Sequence, residues 1–140
     1  MRTQPVLIDS GAILALLDRS EWAHERSVRA LDDLRRPLVT CEAVITECCY
    51  LLRNRPLGIE AVLANVESGF FGIPFQLSQS SAQIQAILQK NRGTSADFAD
   101  ACLIHMASEL NTGDILTLDK EFARYRWRRT KPFRLLIPLG

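Results

Sequence analysis

Apolar residues in the first part of the chain gather in short runs that alternate with helical patterns. Val6-Leu7-Ile8 is a run typical of a strand, and the charged residue Asp9 ends it. Ser10 can cap a helix over the apolar stretch Ala12 to Leu17. The pattern therefore predicts that the fold begins with a strand, a turn and a helix.

The same order is then repeated. Glu21 to Leu34 carries one apolar stripe among charged residues, which predicts a surface helix, and Pro37 ends it. Leu38-Val39-Thr40 predicts a second strand. Thr40 can cap a further helix that runs from about Glu42 to Leu52.

The second half of the chain predicts three more helical segments, a brief strand and two longer strands. Thr94 or Ser95 can cap the third of these helices, and Asn111 and Gly113 signal its end. In chain order, the predicted elements are a helix over Ile59 to Val66, a brief strand over Phe75 to Leu77, a helix over Ile84 to Leu88, a helix from Ala96 to about Leu110, a strand over Ile115 to Leu118 and a last strand over Arg134 to Ile137.

Strands that alternate with helices predict an α/β fold, a three-layer sandwich with a mainly parallel central sheet and helices on both faces. The length of 140 residues predicts one domain that spans the whole chain, 1 to 140. In sheets of this kind, ligands bind beyond the carboxyl ends of the strands, where the strand order switches. Functional residues are therefore expected at that edge.

Composition narrows the class of protein. Hydrophobic residues make up 47% and charged residues 24% of the chain, as in globular proteins. The sequence shows neither the apolar run of a signal peptide nor that of a spanning helix, so a cytoplasmic protein without membrane attachment is expected. The four cysteines have no paired spacing, which favours reduced thiols and argues against a zinc site.

Charge is unevenly distributed although the net charge is only +1. The segment from Arg124 to Arg134 holds six basic residues and no acidic ones, and Tyr125 and Trp127 lie among them. Such a segment can bind phosphates and stack on an unpaired base. The alternative is a solvated face before the last strand, and the two readings stay open at this stage.

Two acidic residues follow predicted strands. Asp9 ends the first strand and Asp119 ends the strand Ile115 to Leu118, so both side chains emerge at the same edge if those strands are parallel. The alternative is structural, because aspartate also caps helices and initiates turns.

Three further acids lie on predicted helices. Glu47 has Val44, Cys48 and Leu51 around it, and Asp100 is followed at helical spacing by apolar residues, so both lie on or beside buried faces. A carboxylate in such a place is normally paired, protonated or bound to metal. Asp97 lies in the first helical turn, where acids are favoured by the helix dipole, so a structural role is the stronger interpretation for it.

Clustered carboxylates repel one another and can be held together by a hard divalent cation. Mg²⁺ and Mn²⁺ prefer oxygen ligands, activate bound water and neutralise charge that develops on a phosphodiester. The acids Asp9, Glu47, Asp100 and Asp119, with Asp97 at the margin, therefore predict a metal-dependent nuclease in which the metal is obligatory.

The order of these motifs resembles the PIN-domain family, and within it the VapC-type toxins of type II toxin–antitoxin pairs. VLIDSGAILALLD is similar to the opening strand, acid and helix of the family, and PLVTCEAVITECCYLL to its second strand and its helix with the glutamate. ADFADACLIHMA and ILTLDKEF are similar to the two C-terminal acidic motifs. The NTGD stretch before ILTLDKEF departs from the family pattern.

The resemblance implies a PIN-like fold and an endoribonuclease that cleaves RNA by metal-activated water. Carried over residue by residue, it implies that Asp9, Glu47, Asp100 and Asp119 are the catalytic acids and metal ligands, with Asp97 an extra carboxylate. Ser10 and Thr117 match small hydroxyl positions beside the site. It also implies Mg²⁺ or Mn²⁺ as cofactor, a homodimer, and a cognate antitoxin protein as partner.

Two other functions remain open at this stage. One is an RNA-processing PIN nuclease without an antitoxin. The other is a non-catalytic, receiver-like regulatory module that binds Mg²⁺ at strand ends. A receiver places its acceptor aspartate after a middle strand, whereas here the middle strand is expected to end in Val39-Thr40, which argues against that module.

Overall fold

The computed structural model describes residues 4 to 139. Short strands alternate with helices, and five strands form one sheet in which every neighbouring pair is parallel. The sheet strands are β1 (Val6–Ile8), β2 (Leu38–Val39), β3 (Phe71–Gly72), β4 (Asp114–Leu116) and β7 (Arg134–Leu135), and a separate antiparallel pair consists of β5 (Arg126–Trp127) and β6 (Lys131–Pro132).

Helices connect the strands of the sheet. Two short 3₁₀ helices, Leu77–Gln79 and Lys120–Ala123, supplement them. The α-helices of the described residues are α1 (Ser10–Leu17), α2 (His24–Asp32), α3 (Glu42–Leu51), α4 (Pro56–Glu67), α5 (Ser81–Lys90) and α6 (Phe98–Leu110).

The sheet is covered on both of its faces. Successive side chains of a strand point to opposite faces, and all three residues of β1 are buried, as are Leu38, Val39, Ile115 and Leu116 of the strands beside it. Strands buried on both faces are typical of a parallel sheet between two layers of helices. The predicted three-layer α/β sandwich is confirmed.

Strand order places a switch point at the centre of the sheet. The order is β3, β2, β1, β4 and β7, so the chain builds outward from β1 on one side and then resumes on the other side with β4. Ile8 pairs with Leu116 at the carboxyl ends of β1 and β4. The crevice between these two ends is where parallel α/β sheets bind ligands.

This order corrects one argument drawn from the sequence. The middle strand is β1, which Asp9 follows, and not the strand that ends at Val39. The position of the second strand therefore does not argue against a receiver-like module. The sequence pattern located both strands but contains no signal for their order in the sheet.

Helix caps differ from the prediction at three places. Ser10 is the first residue of α1 and Asp9 is its N-cap, accepting a hydrogen bond from the backbone N–H of Ala12. Thr40 does not cap α3, because its hydroxyl group donates instead to the backbone oxygen of Ile8, and Cys41 takes the cap position. Asp97, and neither Thr94 nor Ser95, caps α6.

Element boundaries also differ. Phe75 to Leu77 is not a strand, since the third strand is Phe71–Gly72, whose buried Phe71 pairs with Leu38. The helix predicted over Glu21 to Leu34 spans only His24–Asp32, and the last strand spans Arg134–Leu135 rather than reaching Ile137. Strands of two residues are too short to show alternation in a sequence.

The basic C-terminal segment folds into a hairpin whose aromatic residues point inward. Tyr125 and Trp127 are both buried, so stacking of either ring on an unpaired base is ruled out in this structure. Trp127 lies against Gly113, where a Cβ atom would stand 2.2 Å from the indole Nε1, and Nε1 donates to the backbone oxygen of Pro132. The NTGD departure from the family pattern thus supplies a glycine that makes room for the ring.

The cysteines and histidines lie outside the pocket at the carboxyl ends of β1 and β4, and they take part in packing or hydrogen bonds of the fold. The four cysteines are free, and Cys41, Cys48 and Cys102 are buried. His24 lies against the backbone oxygen of Ala15, and the buried His105 lies against the hydroxyl group of Ser80. Within residues 4 to 139, no helix is long and apolar enough to cross a membrane.

Candidate active site

One pocket at the carboxyl edge of the sheet contains all five acids singled out in the sequence. Its volume is about 450 Å³, and it opens at the switch point between β1 and β4. The acids that line it are Asp9, Glu47, Asp97, Asp100 and Asp119, and Ser10, Gly11, Val44, Ser95, Ala99, Leu103 and Leu118 complete its wall.

Asp9 is the most deeply buried acid of the pocket. Its side chain accepts hydrogen bonds from the hydroxyl group of Thr117 and from the backbone N–H of Ala12. Burial raises the pKa of Asp9 to about 6, the two hydrogen bonds oppose that rise, and the nearby charges of Asp119 and Glu47 add to it. The folded protein therefore disfavours the ionised form of Asp9 when no cation is bound.

Glu47 reaches the pocket from the second turn of α3. Ser10 Oγ donates to Glu47 Oε1 over 2.8 Å, which ties the start of α1 to α3. Val44, one helical turn earlier, lines the same pocket and Cys48 beside it is buried. Glu47 is half-buried, which agrees with its predicted place on or beside the buried face of α3, and the hydroxyl group of Ser10 fixes the direction of its carboxylate.

Asp100 and Asp97 form a reciprocal pair at the start of α6. The N–H of Asp100 donates to Asp97 Oδ1 over 2.9 Å, and the N–H of Asp97 donates to Asp100 Oδ2 over 3.1 Å. Such a capping box satisfies two N–H groups that the helix leaves free. Burial raises the pKa of Asp100 to about 7, helped by the charges of Asp97 and Asp119.

Asp119 lines the pocket from the segment that follows β4. Its N–H donates to Thr117 Oγ1 over 3.0 Å, and its Oδ1 accepts from the N–H of Glu121 over 2.9 Å. Thr117 is fully buried. Its hydroxyl group donates to Asp9 and accepts from the N–H of Asp119, so it connects the two residues. Asp119 has a second carboxylate oxygen for which the described residues offer no hydrogen bond.

The pocket fits a divalent cation by the chemistry of its donors. Lysine and arginine are absent from its wall, and none of its five acids takes part in an ion pair within residues 4 to 139. No three acidic, histidine or cysteine side chains in that part of the chain already surround one point closely enough to hold an ion. The acids therefore line a common space while their like charges remain uncompensated, which is the arrangement that oxygen-seeking cations neutralise.

Two residues beside the pocket were not assigned to it from the sequence. Ser95 lines the wall next to α6, and its hydroxyl group lies 3.3 Å from that of the buried Tyr125. The sequence left base stacking and a solvated face open for the segment of Tyr125, whereas in the structure the residue is buried and its hydroxyl group lies beside Ser95 of the pocket wall. The aromatic residue amid basic ones suggested a surface role, and only the fold shows that its ring packs on Phe122.

Comparisons with known proteins identify the family of the chain. The model of the PIN domain family matches residues 6 to 128. Ribonuclease VapC26 of Mycobacterium tuberculosis (strain ATCC 25618 / H37Rv) is 30% identical over 139 residues, which cover 96% of this chain and 94% of that protein.

A solved structure supports the fold independently. VapC20 of Mycobacterium tuberculosis, described as a sarcin–ricin loop cleaving toxin, superposes with a TM-score of 0.79. The match covers 91% of this chain and 99% of that one at 16% identity, so it bears on the fold. Family model, relative and fold together show that the chain belongs to the PIN-domain family and is a ribonuclease of the VapC type.

Proposed function

We propose that this ribonuclease is a Mg²⁺- or Mn²⁺-dependent endoribonuclease and the toxin of a type II toxin–antitoxin pair. The observation that carries the metal dependence is the pocket that five acids line and to which residues 4 to 139 contribute no basic side chain. Carboxylates accept hydrogen bonds but cannot supply positive charge to a phosphodiester, so the chain alone repels its substrate at this point. The acids assigned as ligands are Asp9, Glu47, Asp100 and Asp119, with Asp97 at the margin.

The protein side chains divide the work of the reaction. When bound, a divalent cation activates water and neutralises charge that develops on the phosphate. Thr117 holds Asp9 and the N–H of Asp119 in fixed positions, and Ser10 holds Glu47. The capping box keeps Asp100 turned toward the helix start, from where it faces the pocket. The carboxylates would hold the cation, orient the attacking water and accept its proton. The buried strands β1 and β4 hold Asp9 and Asp119 at the same edge of the sheet.

The toxin assignment rests on the relatives. The solved structure VapC20 is described as a toxin, and the family resemblance implies an antitoxin and a homodimer. Tyr50, Leu51 and Leu57 of α3 and α4 expose large apolar surfaces, which supports an interface there. Coexpression with the product of the adjacent reading frame should restore growth and yield a stable complex, and light scattering should show two copies of this chain per particle.

The metal-dependent activity is tested with purified protein and a single-stranded RNA. Cleavage is measured in EDTA and then with added Mg²⁺ or Mn²⁺, for the wild type and for Glu47→Gln. The substitution keeps the size of the side chain and removes one ligand charge, so we expect a loss of at least about a hundredfold in turnover. Undiminished cleavage in EDTA, or a fully active variant, would defeat the proposal.

Glu42→Gln is the matched control. Glu42 lies on the same helix as Glu47 and is exposed, but it does not line the acidic pocket. The control removes the same charge from α3 and should keep wild-type turnover. A growth assay separates the alternatives: metal-dependent cleavage without toxicity indicates an RNA-processing nuclease, and metal binding without cleavage indicates a regulatory module.

A further inference from the structure

A second pocket, here called the basic pocket, lies between α5, α6 and the β5–β6 hairpin. Its volume is about 360 Å³. Ile87 and Ile104 form part of an apolar floor, and Lys90, Arg126, Arg128 and Arg129 bring positive charge to its rim. None of the described residues that line it is acidic. Its chemistry is thus opposite to that of the acidic pocket.

The turn of the hairpin holds two arginines in a costly backbone conformation. Arg128 has φ 46° and Arg129 has φ 70°, both in the left-handed region that glycine and asparagine adopt most readily. Arg128 is anchored by hydrogen bonds of 2.7 Å to Asn111 Oδ1 and 2.8 Å to the backbone oxygen of Ser108. The left-handed conformation lowers the stability of the fold at both positions, and at Arg128 these hydrogen bonds offset that cost.

The side chain of Arg129 has no such internal partner. It is exposed, and within residues 4 to 139 it makes no side-chain hydrogen bond or ion pair. Arg126 is also exposed and donates from one nitrogen only to nearby backbone oxygens of Ala123 and Tyr125. Both guanidinium groups keep donors available for an anionic ligand.

The two pockets are related through one helix. Leu103 of α6 lines the acidic pocket and the next residue, Ile104, lines the basic pocket. Ser108, at the far end of the basic pocket, lies about 12 Å along the axis from Asp100, at about 1.5 Å per residue. That separation corresponds to a few nucleotides of a single strand.

We propose that the basic pocket binds one unpaired nucleotide of the RNA substrate away from the bond that is cut. Arg126, Arg129 and Lys90 receive its phosphate, and Ala86 and Ile87, which are more accessible than Ile104, receive the apolar face of its base. An apolar floor inside a basic rim suits a nucleotide, since backbone contacts supply affinity and the base adds apolar contact. This inference rests on the proposed nuclease function and names a substrate subsite for it.

The test measures binding of a fluorescent single-stranded oligoribonucleotide in EDTA, where turnover is absent. The variant Arg126→Gln with Arg129→Gln should bind at least about tenfold more weakly. Loss of the contacts to this one phosphate should also make the salt dependence of log K shallower by up to about 0.7. The matched control, Arg29→Gln with Arg35→Gln, removes two exposed arginines outside the pocket and should bind within about twofold of the wild type.

Arg129→Gly separates ligand binding from folding. Glycine relieves the left-handed strain at this position, so the variant should be more stable to urea and yet bind RNA more weakly. Unchanged binding in both pocket variants, or equal weakening in the control pair, would overturn the proposal. Equal competition by a polyglutamate peptide would overturn it too, because the pocket would then take any anion.

Binding and cleavage readouts keep this test apart from the nuclease proposal. Glu47→Gln should retain RNA binding in EDTA while it loses cleavage with Mg²⁺. Loss of cleavage by Glu47→Gln together with unchanged RNA binding supports both proposals. A wild-type protein that binds through the basic pocket but never cleaves would defeat the nuclease mechanism alone.

Discussion

The hydroxyl group of Thr117 donates a hydrogen bond to the carboxylate of Asp9, across 108 residues of sequence. The same oxygen accepts the N–H of Asp119. A single buried side chain therefore fixes the spacing between the acids that follow β1 and β4. Both its removal and its conservative replacement have measurable consequences.

Thr117→Val should impair the site while it preserves the shape of the core. The substitution removes the donor to Asp9, whose pKa is already raised by burial, so that pKa should rise further. The pH profile of cleavage should move to higher pH, and stability should fall by about 1 to 3 kcal/mol. Thr117→Ser should restore both quantities. A pH profile that is the same for Val and Thr contradicts this role.

Asp97→Asn should reduce cleavage less than Asp100→Asn does. Asparagine is a good N-cap, so the variant keeps the hydrogen bond to the N–H of residue 100. Asp100 has a raised pKa and lies deeper, close to the charge of Asp119. Initial rates at saturating Mg²⁺ check the ranking, and equal losses in the two variants would refute it.

The metal-free protein should lose stability as pH rises through about 6. The pKa of Asp9 is raised from 3.8 to about 6, so the folded state holds the proton more tightly than the unfolded state does. This contribution is present below about pH 4 and is lost as pH rises through the folded pKa. It amounts to about 3 kcal/mol, at about 1.4 kcal/mol per pKa unit.

The measurement is urea unfolding in EDTA between about pH 4 and pH 8, for the wild type and for Asp9→Asn. The difference between the two curves isolates Asp9 from other acids, such as Asp114, whose pKa is lowered by Arg134 and Arg36. The variant should gain relative stability as pH rises, and Mg²⁺ should stabilise the wild type more. If the two curves of unfolding free energy against pH run parallel, ionisation of Asp9 does not destabilise the folded protein.

Gly113→Ala should destabilise the C-terminal hairpin. A Cβ atom at this position would meet the indole Nε1 of Trp127 at 2.2 Å and the backbone oxygen of Pro132 at 3.1 Å. An indole ring inside a packed hairpin cannot rotate away freely, so we expect a cost of about 1 to 3 kcal/mol. Urea unfolding checks the value. Gly72→Ala is a milder comparison, because its nearest contact would be 3.6 Å.

Cleavage products should carry 5′-phosphate and 3′-hydroxyl ends. Water is the expected nucleophile when a cation is held by the acids, whereas attack by the ribose 2′-hydroxyl gives a 2′,3′-cyclic phosphate. Ligation assays or mass spectrometry of the fragments distinguish the two. A cyclic phosphate at the new end would require a different mechanism.

Three of the acids were predictable because they break an apolar pattern. Asp9 follows three apolar residues, and Glu47 and Asp100 interrupt inward helix faces, so their exceptional character was visible in the sequence. The parallel pairing of β1 with β4 then brought Asp9 and Asp119 to one edge as expected. These signals are local in the sequence, and a parallel α/β sheet brings such strand-end and helix-face positions to the same edge.

Other features depend on contacts that a linear pattern does not contain. The burial of Trp127 requires Gly113 from a distant turn, and the role of Thr40 depends on the neighbouring strand end at Ile8. Asp97, rather than Thr94 or Ser95, is the N-cap of α6, because its side chain and that of Asp100 form reciprocal hydrogen bonds. Competition between nearby candidates of similar propensity is settled by tertiary geometry.

The long sequence separation between β1 and β4 also sets the order in which the enzyme becomes active during synthesis. Asp9 emerges from the ribosome first, and its partner Thr117 follows 108 residues later, shortly before Asp119. Contacts between residues so far apart in the sequence form late in folding, because the intervening chain must first be synthesised and ordered. A nascent chain therefore has no complete acidic pocket until residues 117 and 119 have left the ribosome, so a nuclease that depends on this pocket stays inactive during the synthesis of the intervening chain.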